Sequence, residues 1–225
     1  MENEVERRIV VISAGLGVPS SSRMLADQLG SAVVAQLAEV GTTARIDVVE
    51  LRDLAVDIAN NLVTGYAPPA LAQAIDAVVN ADALIVVTPV FSASYSGLFK
   101  SFFDLLDPQG LEGLPVLIGA TAGSARHSLV LDFAVRPLFS YFRSRVMPTG
   151  VFAGPGDWGA GAGDGGGLDL RIARAAGELA GVLSDLSPAS SALGDKKALR
   201  TERDRAKLES LPFEQLLANI GGPHR

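Results

Sequence analysis

Three short apolar runs, RIVVISAG (8–15), ALIVVT (83–88) and PVLIGATAG (115–123), each break off into glycine, serine, threonine or proline. Runs so uniformly apolar suit strands buried on both faces, which is what a parallel sheet covered by helices requires. Between the first and second runs, Leu25, Leu29, Val33, Leu37 and Val40 recur at helical spacing, and Gly41 stands where such a helix would stop. Two more runs, ARIDVVEL (44–51) and VMPTGVFA (146–153), bring the expected strands to five. Further helices fit residues 70–80, the segment after 97, a long stretch over 125–143 and residues 168–186. Pro137 should kink the long one or end its first part. Residues 52–69, with Asn60, Asn61, Gly65 and the Pro68-Pro69 pair, read as irregular. Strands alternating with helices at this spacing predict an α/β fold with a parallel sheet covered on both sides.

The length of 225 residues allows one sizeable core and an appendage. The boundary falls near residue 186. From 187 onward the chain is linker-like, then charged nearly all round, and only PFEQLLANI restores an apolar face, through Phe213, Leu216, Leu217 and Ile220. Residues 1–186 thus read as the main domain and 187–225 as a linker and C-terminal helical extension. That extension either docks on its own domain or packs on a second subunit. The apolar segment 102–106 and the tail 211–220 are the candidate subunit contacts. Residues 154–167 hold eight glycines and read as a flexible excursion.

Several chemistries are excluded or disfavoured. With no cysteine and two histidines, disulfides and thiolate-bound metals are impossible and a multi-histidine metal site is not expected. A net charge of −6 argues against general nucleic-acid affinity. The charged N-terminus has no leader pattern, and no run approaches the roughly 20 apolar residues of a membrane span. A cytoplasmic protein is expected.

In an open doubly wound sheet, ligands bind beyond the carboxyl ends of the strands. Parallel strands place three loops on that edge: SAGLGVPSSSR (13–23), TPVFSASYSG (88–97) and ATAGSARH (120–127). In the first, Gly15 and Gly17 permit a tight turn, Ser20, Ser21 and Ser22 supply hydroxyls, and a helix beginning near Arg23 adds free amides. A nucleotide P-loop would need a lysine that is missing, and a dinucleotide fingerprint would need glycine where Ser20 stands. A serine cluster before a helix is either an N-cap or an anion site. Hydroxyls without an obligatory lysine suit the terminal phosphate of flavin mononucleotide (FMN). Pro89 would hold the second loop extended, and Phe91 and Tyr95 offer surface for a flat ring unless they are ordinary packing aromatics. Thr121, Ala122, Gly123 and Ser124 are small enough for close approach of backbone to that ring. No GxSxG elbow is present, and His127 is the one internal histidine, so a serine-hydrolase triad is not expected.

The segments SAGLGVPSSSR, TPVFSASYSGLFKSFFDLL and ATAGSARHSLVLDFAVRPLF resemble the signature segments of NAD(P)H-dependent FMN reductases, flavodoxin-like proteins that serve two-component flavin monooxygenases. The likeness spans roughly residues 8–186. PFEQLL, with DWG at 157–159, resembles an actinobacterial branch paired with luciferase-like monooxygenases. The resemblance implies a flavodoxin-like, doubly wound, five-stranded parallel sheet of order 2-1-3-4-5. It also implies a homodimer or homotetramer, FMN as cofactor or substrate, and hydride from NADPH or NADH. Carried onto this chain, it assigns Ser13, Ser20, Ser21 and Ser22 to the phosphate, and Pro89, Val90, Phe91, Ser94 and Thr121, Ala122, Gly123 and Ser124 to the ring. No catalytic side chain is implied, since the hydride passes between cofactors. The family's first loop often carries an arginine where Leu16 and Gly17 stand here; Arg23 either replaces it or only begins the helix. Arg126 and His127 either meet a nicotinamide nucleotide or merely start a helix. A flavodoxin-like electron carrier and a quinone or azo-dye reductase are the alternatives on the same scaffold.

Overall fold

The computed structural model describes residues 6–158 and 166–186. The elements run β1 (Arg7–Ser13), α1 (Ser21–Glu39), β2 (Ala44–Glu50), α2 (Ala55–Thr64), α3 (Pro69–Val79), β3 (Ala83–Phe91), β4 (Ser94–Tyr95), α4 (Gly97–Phe103), β5 (Pro115–Thr121), α5 (Arg136–Tyr141), β6 (Arg145–Val146), β7 (Val151–Ala153) and α6 (Gly166–Asp185). The main sheet has the order β2-β1-β3-β5, with parallel pairing throughout. Its fifth position is shared by β6 and β7, both parallel to β5. The expected 2-1-3-4-5 order is therefore present. The single fifth strand anticipated over 146–153 is broken, because Pro148 has no N–H for the ladder. Glu178 of α6 holds the break by accepting from the Thr149 N–H at 2.8 Å and its hydroxyl at 2.6 Å.

Strand alternation divides the core in two. Val10, Ile12, Leu84, Val86, Val116 and Ile118 face α3, α4 and α5. Ile9, Val11, Ile85, Val87 and Leu117 face α1 and α6. Both faces of the central strands are thus sealed, which is why those strands read as unbroken apolar runs. The first side also holds the aromatic cluster, with Phe103 4.7 Å from Phe99 and 5.0 Å from Phe139 between ring centroids.

Three expectations need correction. Residues 52–69 are not irregular: a 3-10 turn (Leu51–Leu54) leads into α2, which Gly65 ends with φ 71° by donating to Asn61 O. Ala55, Ile58, Ala59 and Leu62 do recur at helical spacing in α2, but the helix is ten residues long, only Ile58 is buried, and Asn60, Asn61 and Gly65 read as loop signals. The stretch 125–143 is not one helix: a 3-10 turn (Ala125–His127) and a π-turn (Leu131–Val135) precede α5, and the winding changes at Arg136, next to Pro137 as expected. The segment 102–106 is not a subunit surface, because Phe102, Phe103 and Leu106 are core. The tail 211–220, with all of 187–225, lies outside the described residues, as does 159–165 of the glycine-rich excursion. Among the described residues no helix is long and apolar enough to cross a membrane.

Candidate functional site

Register brings the three loops together. Ser13, the last residue of β1, pairs with Val87 on one side and Glu50 on the other. Thr121, ending β5, pairs with Pro89 and with Ala153. The loops after β1, β3 and β5 consequently leave one edge of the sheet side by side. A 2.7 Å hydrogen bond between the Ser22 and Thr121 hydroxyls, both buried, ties the first loop to the third.

The serines of the first loop differ in their tasks. Ser20 is the N-cap of α1, its Oγ accepting from the Arg23 N–H at 3.2 Å. Ser22 spends its hydroxyl on Thr121. Ser21 is exposed at the first position of α1, where first-turn amides have no partner within the helix. Ser13 is buried, and its Oγ has no hydrogen-bond partner among the described residues. Gly15 lies beneath Ser20, where an added Cβ would fall 1.9 Å from the Ser20 Oγ, so glycine alone fits. An orphaned buried hydroxyl, a glycine with no room for a side chain and the N-terminal amides of a 19-residue helix fit a phosphate group.

Charge around this loop comes from Arg23, already a candidate from the sequence, and from Glu50 and Arg52, which the sequence did not single out. Arg23 pairs with Asp27 at 2.7 Å and with Glu50 at 2.5 Å. The Asp27 hydrogen bond holds the Arg23 guanidinium pKa above its ordinary value. Partial burial opposes that shift, and attraction to Asp27 and Glu50 adds to it. Arg52 pairs with Glu50 at 3.1 Å and Asp53 at 3.4 Å, and donates through Nη1 to the Gly17 carbonyl at 3.0 Å. Glu50 and Arg52 were missed because they belong to a different strand end. The signal was topological: in a 2-1-3 order, the end of β2 stands beside the loop that follows β1.

In the second loop, β3 runs on to Phe91 and turns back as β4, with Phe91 opposite Ser94 and Val90 opposite Tyr95. The two turn residues, Ser92 and Ala93, have φ of 49° and 66°. Buried Thr88 anchors the hairpin: its Oγ1 accepts from the Ser96 N–H at 3.0 Å and donates to the Pro89 carbonyl at 3.0 Å. The two aromatics part ways here. Tyr95 packs on Phe99 at 5.8 Å, whereas Phe91 is 47% exposed and offers its ring outward. Pro89, Val90 and Ser94 are half-buried beside it.

In the third loop, Ala122 donates to the Ala153 carbonyl at 3.2 Å and Gly123 is exposed. Ser124 caps the following turn, accepting from the Arg126 N–H at 3.4 Å and from Arg126 Nε at 3.3 Å. His127 is half-buried within that turn. Among the described residues no cluster of carboxylates and histidines is fit to hold a metal ion.

A parallel sheet of order 2-1-3-4-5 with helices on both faces defines a flavodoxin-like α/β protein. A flavodoxin, WrbA-like protein from Agrobacterium tumefaciens shares the fold, with a TM-score of 0.51 at 18% identity over 81% of this chain and 99% of that one. The chain belongs to the NADPH-dependent FMN reductase family, whose profile it matches over residues 7–159. It is an oxidoreductase that reduces FMN with NADPH or NADH. It is 40% identical to an FMN reductase (NADPH) from Pseudomonas aeruginosa, over 67% of this chain and 78% of that one. An NADH-dependent FMN reductase from Pseudomonas putida, SfnF, is 38% identical over 65% of this chain and 76% of its own. Among solved structures, an oxidoreductase from Corynebacterium diphtheriae has a TM-score of 0.77 at 48% identity, covering 81% of this chain and 99% of that one. The apo form of an NADH:FMN oxidoreductase has a TM-score of 0.70 at 29% identity, covering 82% and 94%.

Proposed function

We propose that FMN is reduced at the edge formed by residues 13–23, 88–97 and 120–127, and that the reduced flavin supplies a partner monooxygenase. The observation that carries the assignment is the Ser13 hydroxyl, buried at the end of β1 where the first loop begins and without a partner among the described residues. When bound, FMN supplies the hydride-accepting ring and the nicotinamide coenzyme supplies the hydride. Ser13, Ser21 and the first-turn amides of α1 bind the phosphate, while Ser20 and Ser22 fix the helix start that presents them. Pro89, Val90, Phe91 and Ser94 flank the ring on one side and Thr121, Ala122, Gly123 and Ser124 on the other, with Phe91 covering apolar surface from water. No side chain of this set acts as a nucleophile or proton donor; the protein's part is orientation and exclusion of water.

The subunit association is that of a homodimer or homotetramer. Its support is the exposed apolar surface of α2, through Val56, Leu62 and Val63, and of the 129–141 region, through Leu129, Phe133 and Tyr141.

Oxidation of NADPH and NADH under air, with and without added FMN, tests the reaction together with the visible spectrum of the purified protein. Fast oxidation that depends on FMN is expected. A retained yellow cofactor with no coenzyme oxidation would instead mark an electron carrier. For the site, Ser13→Ala should weaken FMN binding about tenfold, the worth of one hydrogen bond to a charged group, and leave riboflavin binding unchanged. Equal loss for both flavins would move the phosphate elsewhere.

A further inference from the structure

The first loop carries its own anion. Glu50 is the last residue of β2 and stands in register with Ser13, so the sheet delivers its carboxylate to the side of the loop. One of its oxygens takes Arg23 Nη1 at 2.5 Å and the other takes Arg52 Nε at 3.1 Å. Arg52 is part of the loop's frame through the Gly17 carbonyl. The carboxylate is the inner member of the triad: the Glu50 side chain is 17% exposed, against 34% for Arg23 and 27% for Arg52. Two guanidinium groups thus meet three carboxylates, those of Asp27, Glu50 and Asp53. The guanidinium groups beside the loop are therefore already engaged, and this side of it offers a phosphate no excess of positive charge.

We propose that Glu50 is a built-in competitor for the phosphate of FMN. It occupies Arg23 and Arg52, so that phosphate binds by drawing those guanidinium groups away from a carboxylate and leaves with little hindrance. The inference rests on the reading that residues 13–23 hold the phosphate, and it makes FMN an exchanging substrate instead of a resident group. Arg52 is then a phosphate-binding residue that the first loop itself does not contain. Glu50 is a positioning residue that sets affinity downward.

The test is equilibrium titration of the full-length protein with FMN and with riboflavin, followed by flavin fluorescence, without coenzyme. Glu50→Gln keeps the shape and removes the charge. It should bind FMN roughly three- to tenfold more tightly, the worth of two partly exposed ion pairs, with riboflavin unchanged and a steeper dependence on salt. Arg52→Gln should weaken FMN by a similar factor and leave riboflavin alone. Asp53→Asn removes an outer, exposed carboxylate from Arg52 without touching the sheet, and should tighten FMN about twofold even if the Glu50 variant fails to fold. A weaker or unchanged FMN affinity in the Glu50 and Asp53 variants, with wild type still preferring FMN to riboflavin, overturns the competitor and leaves the phosphate loop standing. If wild type shows no preference for FMN over riboflavin, the phosphate loop itself fails, and the competitor with it.

Discussion

Ser20, Ser21 and Ser22 are indistinguishable as letters and have three different jobs. Ser22 reaches Thr121, 99 residues away in sequence, through a buried hydroxyl pair. Truncating it leaves Thr121 Oγ1 buried and unsatisfied, so Ser22→Ala should cost about 1–3 kcal/mol of stability. Ser21 is exposed, and Ser21→Ala should fall within about 0.5 kcal/mol of wild type. Urea unfolding of the two variants decides it; equal losses would mean that the Ser22–Thr121 bridge contributes nothing. The comparison has a practical edge, because replacing all three serines at once would confuse a collapsed helix start with a lost phosphate contact. The spacing of glycine and serine made a tight turn before a helix legible, and Gly15 does lie where no side chain fits. The division of labour was not legible, since it depends on partners supplied by other strands. Glu50 and Arg52 escaped for the same reason.

The strands were the most legible elements, because burial on both faces leaves no polar position to blur the run. Elements whose stability is local were less so. The helix α2 has its apolar spacing in only ten residues, interrupted by Asn60 and Asn61, and the β3–β4 hairpin is two pairs long and leaves no periodic trace. That hairpin stores strain. Positive φ at both central positions is the mark of a type I′ turn, which favours asparagine and glycine, yet Ser92 and Ala93 fill it. An L-residue in the left-handed region costs roughly 1–2 kcal/mol, and glycine returns part of that in unfolded-state entropy. Ala93→Gly should therefore stabilise the protein by about 0.5–1 kcal/mol, a rise of roughly 1–4 °C in Tm. Strain of this kind clusters where a loop has a task, and the exposed Phe91 ring next to the turn is the surface proposed above for the flavin. A thermal melt in which Ala93→Gly is no more stable than wild type would show that the turn is relaxed as it stands.

At the scale of the molecule, the sheet separates an aromatic half-core from an aliphatic one, and its two flanks are fastened by carboxylates. On the β2 side Asp47 accepts from Arg8 at 2.7 Å and Arg45 at 3.2 Å. On the other side Glu178 grips the break between β6 and β7 through Thr149, with Arg174 at 3.5 Å. Burial opposes ionisation of both groups, but their partners outweigh it: Arg8 and Arg45 for Asp47, Thr149 and Arg174 for Glu178. Both therefore titrate below their ordinary values of 3.8 and 4.5. A carboxyl whose folded pKa is depressed stabilises fully above its unfolded value and loses that contribution as pH falls through the folded one. The effect on Glu178 follows. At neutral pH, Glu178→Gln should be less stable than wild type, because the amide offers Thr149 one acceptor where the carboxylate offers two. As the pH drops below 4.5 the wild-type carboxyl gains a proton, the two proteins converge, and the gap closes from the wild-type side. Guanidinium unfolding across the acid range measures that gap directly. If it stays constant with pH, the Thr149 contacts hold the acid as well as the carboxylate, and the depressed titration of Glu178 is refuted.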